Sequence, residues 1–360
     1  MPCKLAITSM SLGRCYAGHS FATKMDAAHK YGYQGIELFH EDLVDVAYSL
    51  SSETPSPEGP SQEAQAAAAR HIRRLCQARG IEIICLQPFS HYDGLLDREE
   101  HERRLGQLEF WFTLARELGT DMIQIPASFL PASRVTEDLD LIVSDLQIVA
   151  DMGLRQDPPI RYAYESLCWS TRIDTWELCW EVVQRVDRPN FGMCLDTFNI
   201  AGRIYADPTA TSGRTPDAEA AVRQSIARMI AHVDVKKVFY VQVVDAERLS
   251  EPLAPGHPFY NADQPPRMSW SRNCRLFYGE DERGAYLPVR EIARAFFHGL
   301  GFEGWVSLEL FHRRMADEEP QVPEELARRG AASWVKLQKD MKLNVDKPKS
   351  SKTTRVYASL

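Results

Sequence analysis

The chain has 360 residues, 44% of them hydrophobic and 26% charged, with a formal net charge of −8 and a sequence pI near 5.7. That is enough apolar material for a substantial core and enough length for one closed (β/α)8 barrel, which takes roughly 250 residues or more. An acidic balance with no basic stripe before the C-terminal tail argues against nucleic acid as a partner and for a small-molecule substrate.

The elements alternate along the chain. Residues 4–9 (KLAITS) read as a strand and 21–31 as a helix, with Gly32 and Gly35 after it to supply turn conformations. A second strand lies at 35–39 (GIELF). Residues 49–60 (SLSSETPSPEGP) are rich in Ser and Pro and read as a flexible surface insertion. The Ala-rich stretch 61–79 predicts a helix stopped by Gly80 in a left-handed cap. Strand 81–87 (IEIICLQ) precedes a helix at 98–118, which carries a stripe of Leu105, Leu108, Phe112 and Leu118 and stops at Gly119. Strand 122–127 (MIQIPA) precedes a helix at 136–152, stopped by Gly153. Strand 160–165 (IRYAYE) leads to a helix at 174–186 with Asp174 as its cap. Strand 191–196 (FGMCLD), helix 216–232, strand 238–244 (VFYVQVV), helix 287–300, strand 305–310 (WVSLEL) and helix 323–341 complete the set. Proline in or just before a first helical turn suits that position.

Eight apolar, β-branched strands separated by helices predict an α/β protein, a single (β/α)8 TIM barrel over 1–343 with strands buried on both faces. The rival is an open doubly wound sheet. Eight repeats with neither a GxGxxG nor a Walker motif favour closure. Residues 246–285 form a long rim loop after the seventh strand and are a candidate lid. Residues 344–360 read as a basic, disordered tail outside the fold. The eight cysteines contain no CxxC pair and no zinc-finger spacing, and most lie in apolar runs as small hydrophobes. With no N-terminal signal and no apolar stretch near the ~20 residues that span a bilayer, the expectation is a cytoplasmic protein with no membrane partner. The final YASL does not match a peroxisomal SKL signal. Oligomeric state is not readable from the pattern.

Four successive strands in the second half end in a polar side chain: Glu165, Asp196, Gln242 and Glu309. A lone carboxylate at a strand end is ordinarily a cap or an ion-pair partner. Four in succession, on barrel strands about 4.8 Å apart, can converge on one ion at the C-terminal rim. Three carboxylates and an amide oxygen make a cage for a hard divalent cation, Mg²⁺ or Mn²⁺, with Co²⁺ also accepted. Gln87 and His91 follow the third strand, and a histidine there is a natural proton shuttle. Glu37, on the second strand, is a second catalytic candidate as base or orienting carboxylate. Trp169 could wall a ring-binding pocket, and His312 could support Glu309. The segment MSWSRNCR offers Ser271, Arg272 and Arg275, whose guanidinium forks suit a substrate carboxylate. Asn199, three residues past Asp196, is placed with the substrate-facing groups.

The runs CKLAITSMSLG, LQPF, YESLCWS, LDTFNIAGR, MSWSRNCRLFYGE and VSLELFHR together resemble the xylose-isomerase-like barrel superfamily. Within it the chain is most similar to the 3-dehydroshikimate dehydratases of fungal quinate catabolism, over nearly all of 1–343. The resemblance implies dehydration of 3-dehydroshikimate to protocatechuate with a divalent metal held by Glu165, Asp196, Gln242 and Glu309. It also implies that Ser271 and Arg275 contact substrate. Many relatives carry histidine where this chain has Gln242, and DxxH where it has Asp196 and Asn199. Those departures weaken a zinc or multinuclear site and a phosphodiesterase reading. The expected chemistry is removal of a proton α to a ketone, metal stabilisation of the enolate, and loss of water. The base stays open among His91, Glu37 and metal-bound hydroxide. The rivals are a sugar or cyclitol isomerase or epimerase on the same cage, and a non-enzymatic barrel that binds a small acid.

Overall fold

The computed structural model describes residues 2–51 and 53–345. Its centre is a closed barrel of eight parallel strands. In chain order these are β1 (Lys4–Thr8), β2 (Gly35–Phe39), β3 (Glu82–Gln87), β4 (Met122–Pro126), β5 (Arg161–Glu165), β6 (Phe191–Asp196), β7 (Val238–Gln242) and, last to join, β10 (Trp305–Leu308), which lies between β7 and β1. Each strand is buried along nearly its whole length, as the unbroken apolar runs require. The expected barrel is therefore the observed one, with strand ends trimmed by one or two residues.

The outer ring contains α1 (Phe21–Lys30), α3 (Gln62–Gln77), α4 (Arg98–Leu118), α5 (Leu139–Leu154), α6 (Trp176–Val186), α8 (Ala218–His232), α10 (Val289–Arg294, continued by one π turn to Gly299) and α11 (Val322–Met341). Three helices were not anticipated. α2 (His40–Leu50) starts directly at the end of β2 with no side-chain cap to announce it. α7 (Thr197–Ile204) is capped by Asp196 itself, whose carboxylate accepts from Phe198 N at 2.9 Å, so strand end and helix start coincide. α9 (Pro266–Cys274) lies inside the expected rim loop, which also supplies an antiparallel ribbon of β8 (Val244–Ala246) and β9 (Arg275–Phe277). Within that arc Trp270 is buried and donates Nε1–H to Glu247 O, and Arg267 donates to Gly202 O. The arc is an anchored wall at its C-terminal half.

Three local expectations are corrected. The cap of α6 is Thr175, which accepts from Leu178 N, while Asp174 pairs with Arg203 at 2.8 Å. Gly153 does not end a helix; it sits inside α5. Gly35 is a strand residue rather than a turn. Gly119 does close α4 in the left-handed region, at φ +78°. At the chain's far end, Asn344 O accepts from Cys3 N at 2.7 Å and Val345 bridges Cys3, so the ordered fold reaches past 343; residues 346–360 of the expected tail lie outside the described residues. All eight cysteines are free and seven are buried. Among the described residues no helix is long and apolar enough to cross a membrane.

Gly153 carries a packing requirement that its neighbours make explicit. A Cβ there would lie 2.6 Å from the carbonyl oxygen of Ile160 and 2.6 Å from the Tyr162 ring, where α5 meets the start of β5. Gly106, inside α4, would meet nothing within 4 Å. Gly153→Ala is therefore expected to destabilise the fold by about 1–3 kcal/mol. Gly106→Ala is expected to stabilise it by about 0.5–1 kcal/mol. Urea unfolding of the two variants beside the parent checks both signs.

Candidate active site

The C-terminal ends of the strands place the chemistry. Glu165, Asp196 and Glu309 each offer a carboxylate oxygen, and these oxygens all lie within 4.8 Å of one another. All three side chains are buried. Gln242 stands in register with Asp196 on one side and Ser307 on the other. Its Nε2 donates to both oxygens of Glu37, at 3.1 and 2.9 Å. A carboxylate only accepts, so the amide nitrogen must face Glu37 and Oε1 must face away. That oxygen is buried and finds no hydrogen-bond donor among the described residues. An orphaned amide oxygen beside three clustered carboxylates fits a hard divalent cation.

Charge gives the same answer. Burial pushes the carboxyls of Glu37, Glu165, Asp196 and Glu309 upward, and for Glu165 the neighbouring Glu309 and Asp196 push further. One cation, Arg275, is embedded among them. Its Nη1 donates to Asp196 Oδ2 at 2.9 Å and to Glu309 Oε2 at 3.1 Å. Burial works against its charge, but Asp196, Glu309 and Glu165 outweigh that and raise its pKa. Burial drives these carboxyls toward the neutral form; were all four ionised, one guanidinium would leave three negative charges uncompensated. A divalent cation would leave one.

Several residues expected to act directly are instead turned toward the cage. Glu37 accepts from Thr8 Oγ1 at 3.0 Å, from Gln87 Nε2 at 2.8 Å and from Gln242, contacts that suit the orienting role of the two expected for it. Gln87 also donates to Glu309 Oε1 at 3.3 Å. Asn199 donates to Glu165 Oε1 at 2.9 Å and Asp196 Oδ2 at 2.8 Å, and accepts from Cys168 N. Ser271 Oγ accepts from Arg275 Nε at 3.1 Å. The Arg275 guanidinium lies between the rings of Phe198 and Phe311, at 4.2 and 5.1 Å. His312 accepts from Arg314 N through Nδ1 and so caps the turn that follows. Gln124, which donates to Glu165 Oε2, was missed. Its signal was a polar residue in the middle of the apolar strand MIQIP, the same kind of break that marks Gln242 in VFYVQ.

His91 and Trp169 lie in the loops that follow β3 and β5, and Arg272 lies on α9. His91 has φ +59°, rare for a residue with a Cβ, and its ring meets Phe129 edge-on at 4.2 Å. The loop that carries it is pinned by two acids. Asp93 accepts from Ser128 N and from the Tyr164 hydroxyl, and Asp145 accepts from Gly94 N and Arg98. Burial, then the positive charges of Arg104, Arg134 and Arg272, lower the His91 pKa to about 4. His91 Nδ1 and Trp169 Nε1 are buried without a hydrogen-bond partner among the described residues. Arg272 is exposed and donates to Gln264 Oε1 at 2.9 Å.

Against known proteins, a family model described as xylose isomerase-like TIM barrel matches residues 25–336, and the chain belongs to that family. It is 71% identical over 360 residues, all of both chains, to the 3-dehydroshikimate dehydratase of Neurospora crassa. It is 30% identical over 292 residues to the 3-dehydroshikimate dehydratase of Pseudomonas aeruginosa, covering 80% of this chain and 36% of that one. Among solved structures, a xylose isomerase-like TIM barrel/4-hydroxyphenylpyruvate dioxygenase fusion protein superposes with a TM-score of 0.70 at 22% identity, over 95% of this chain and 44% of that one. The IOLI protein with a bound zinc atom superposes with a TM-score of 0.65 at 16% identity, over 93% and 98% of the two chains.

The link from Glu37 through Gln242 to the cage is testable by metal affinity. Gln242→Ala removes the amide oxygen, and Glu37→Gln replaces one of the two oxygens that accept from the Gln242 nitrogen with a donor. Each is expected to weaken Mn²⁺ binding by about 10–100-fold, the range for loss of a supporting partner. Calorimetric titration of chelator-treated protein measures it; parent-like affinity for Glu37→Gln would show that Glu37 does not set the amide.

Proposed function

We propose that this member of the xylose isomerase-like TIM barrel family dehydrates 3-dehydroshikimate to protocatechuate, as a cytoplasmic hydro-lyase of quinate and shikimate catabolism dependent on Mg²⁺ or Mn²⁺. The observation that carries the reading is 71% identity, end to end, with a 3-dehydroshikimate dehydratase. The oxygen cage and its embedded arginine support the metal requirement.

Held by Glu165, Asp196, Gln242 and Glu309, a divalent cation supplies a Lewis acid for the substrate ketone oxygen. The chain's own groups do the rest. Asn199 and Gln124 fix Glu165, and Arg275 fixes Asp196 and Glu309, so the cage is preorganised. His91, neutral at physiological pH with Nδ1 unpaired, takes the proton from the carbon beside the ketone. The same ring, now protonated, returns that proton to the departing ring hydroxyl, which leaves as water. Tautomerisation of the remaining ring then yields the aromatic diol, so one water is lost and no redox partner is needed. Arg272 at the mouth offers its charge to the substrate carboxylate, and Trp169 Nε1–H is a free donor on the wall.

The test is an ultraviolet assay with 3-dehydroshikimate on metal-stripped and metal-restored protein. Metal-dependent appearance of the catechol is expected, and its absence from folded, metal-loaded protein would overturn the reading. His91→Gln is expected to lower kcat by about 10²–10⁴-fold.

The pH dependence follows from the same histidine. A base acts deprotonated, so activity is retained above the His91 pKa of about 4 and lost as pH falls through it. Arg134→Gln removes one repelling charge. It should move the His91 titration upward, toward the ordinary value near 6.5, and carry the acid limb of kcat/KM with it. A ring-proton NMR titration of His91 in both proteins, beside the rate profiles, decides whether the limb belongs to this residue.

A further inference from the structure

The opposite end of the barrel holds a cavity of about 460 Å³, well inside the range that takes small ligands. It is lined by the first residues of several strands rather than their last. Arg161 opens β5 and Glu165 closes it, so about 13 Å of strand separates this cavity from the cage. It is a separate place with its own chemistry.

Two aromatic rings form one wall. Trp305, at the start of β10, lies against Gly35, and Phe239, on β7, lies against Gly192. A Cβ at either glycine would fall 2.7 Å from the ring. Glycine inside a strand ordinarily weakens it. Here the two glycines make room for the rings at the lower end of the barrel. Each ring also carries a cation: Lys4 Nζ is 4.8 Å from Trp305, and the Arg161 guanidinium is 5.4 Å from Phe239.

The charge of the lining is positive. Asp121 is neutralised by Arg161 through two hydrogen bonds of 2.9 and 2.7 Å, and Glu82 faces Lys4 at 4.0 Å. Arg73, on α3, and Arg116, on α4, line the same cavity and have no carboxylate partner among the described residues. Arg73 packs over Gly119 with Nη1 3.5 Å from Arg116 O, while Arg116 Nη2 donates to Thr113 Oγ1 at 3.4 Å, and the two residues line the space from adjacent helices. The helix-end dipole favours a cation at Arg116. It favours Arg73 as well, through the hydrogen bond to Arg116 O, but does not account for the aromatic residues in the same lining.

We infer that this cavity is a second, non-catalytic binding site, and that it takes a planar aromatic carboxylate, its ring against Trp305 and Phe239 and its carboxylate between Arg73 and Arg116. Guanidinium forks match a carboxylate in two-point contact and also stack on flat rings. Protocatechuate is such a molecule. Its use as the probe rests on the proposed function, but the site does not.

The experiment uses the full, metal-loaded chain labelled with 5-fluorotryptophan, with the Trp305 fluorine resonance assigned from Trp305→Phe. Protocatechuate, cyclohexanecarboxylate, catechol and inorganic phosphate are titrated separately. Protocatechuate is expected to shift the Trp305 resonance saturably. The other three should bind at least tenfold more weakly, since each lacks the ring or the carboxylate. Arg73→Ala with Arg116→Ala should weaken protocatechuate at Trp305 at least tenfold, with kcat and KM for dehydration unchanged. A Trp305 resonance that never moves, that moves equally in the double variant, or that responds as strongly to phosphate or cyclohexanecarboxylate overturns the proposal. Because the probe is added directly, failure of the dehydration assay leaves this readout intact.

Discussion

The structure depends on keeping four buried carboxylates together. Glu37, Glu165, Asp196 and Glu309 come from four strands of one barrel, and burial alone drives each toward its neutral form. Unpaired, ionised groups in such a place would be prohibitive. Arg275 is the protein's own answer, and its delivery explains an otherwise odd piece of architecture. The chain leaves β7, makes a long excursion, and returns through α9 and β9. Arg275 heads β9, and the ribbon with β8 and the hydrogen bond from Arg275 N to Phe311 O set its backbone in place. Phe198 and Phe311 then hold its guanidinium from two sides. The excursion is thus tied to the site before any question of closing over substrate arises.

One guanidinium cannot balance four carboxylates, and the remaining order comes from neutral amides. Gln87, Gln124, Gln242 and Asn199 each point N–H groups at these acids. An amide does not titrate, so it holds a carboxylate's orientation without adding a charge that must itself be balanced. For Gln242 the orientation has a second effect, because fixing the nitrogen on Glu37 leaves the oxygen facing away from it, buried and without a donor among the described residues. Glu37 contributes to the cage without being part of it.

The barrel was legible because strands buried on both faces must be apolar along their length, and eight such runs alternate with helices. Glu165, Asp196, Gln242 and Glu309 were legible because each interrupts or ends one of those runs. The partners of Glu37, Gln87 and Asn199 were not. Glu37 meets Gln242 across 205 residues and Gln87 meets Glu309 across 222, and nothing local in GIELF or LQPF announces a partner that only barrel register supplies. The same applies to Arg275. Its sequence setting suggests an exposed fork for a substrate, whereas closure of the barrel buries it against two carboxylates. Helices α2 and α7 escaped for a different reason. They begin on the last residue of a strand or immediately after it, leaving no polar interval to mark a boundary.

At the mouth, one set of charges has two effects that reinforce each other. Arg104, Arg134 and Arg272 put positive charge around His91, and positive charge near a site favours arrival of an anionic acid. The same charges, added to burial, hold His91 neutral. Under the proposed mechanism, a substrate carboxylate lodged among them would offset part of their repulsion and make the imidazole a stronger base. The pinned loop keeps it there: Asp93 and Asp145 anchor the backbone on the C-terminal side of a histidine held in the left-handed region, a conformation the chain would otherwise relax. In the proposed role of His91 as base, an imidazole kept neutral on an anchored backbone suits abstraction of a carbon-bound proton better than a freely titrating surface histidine would.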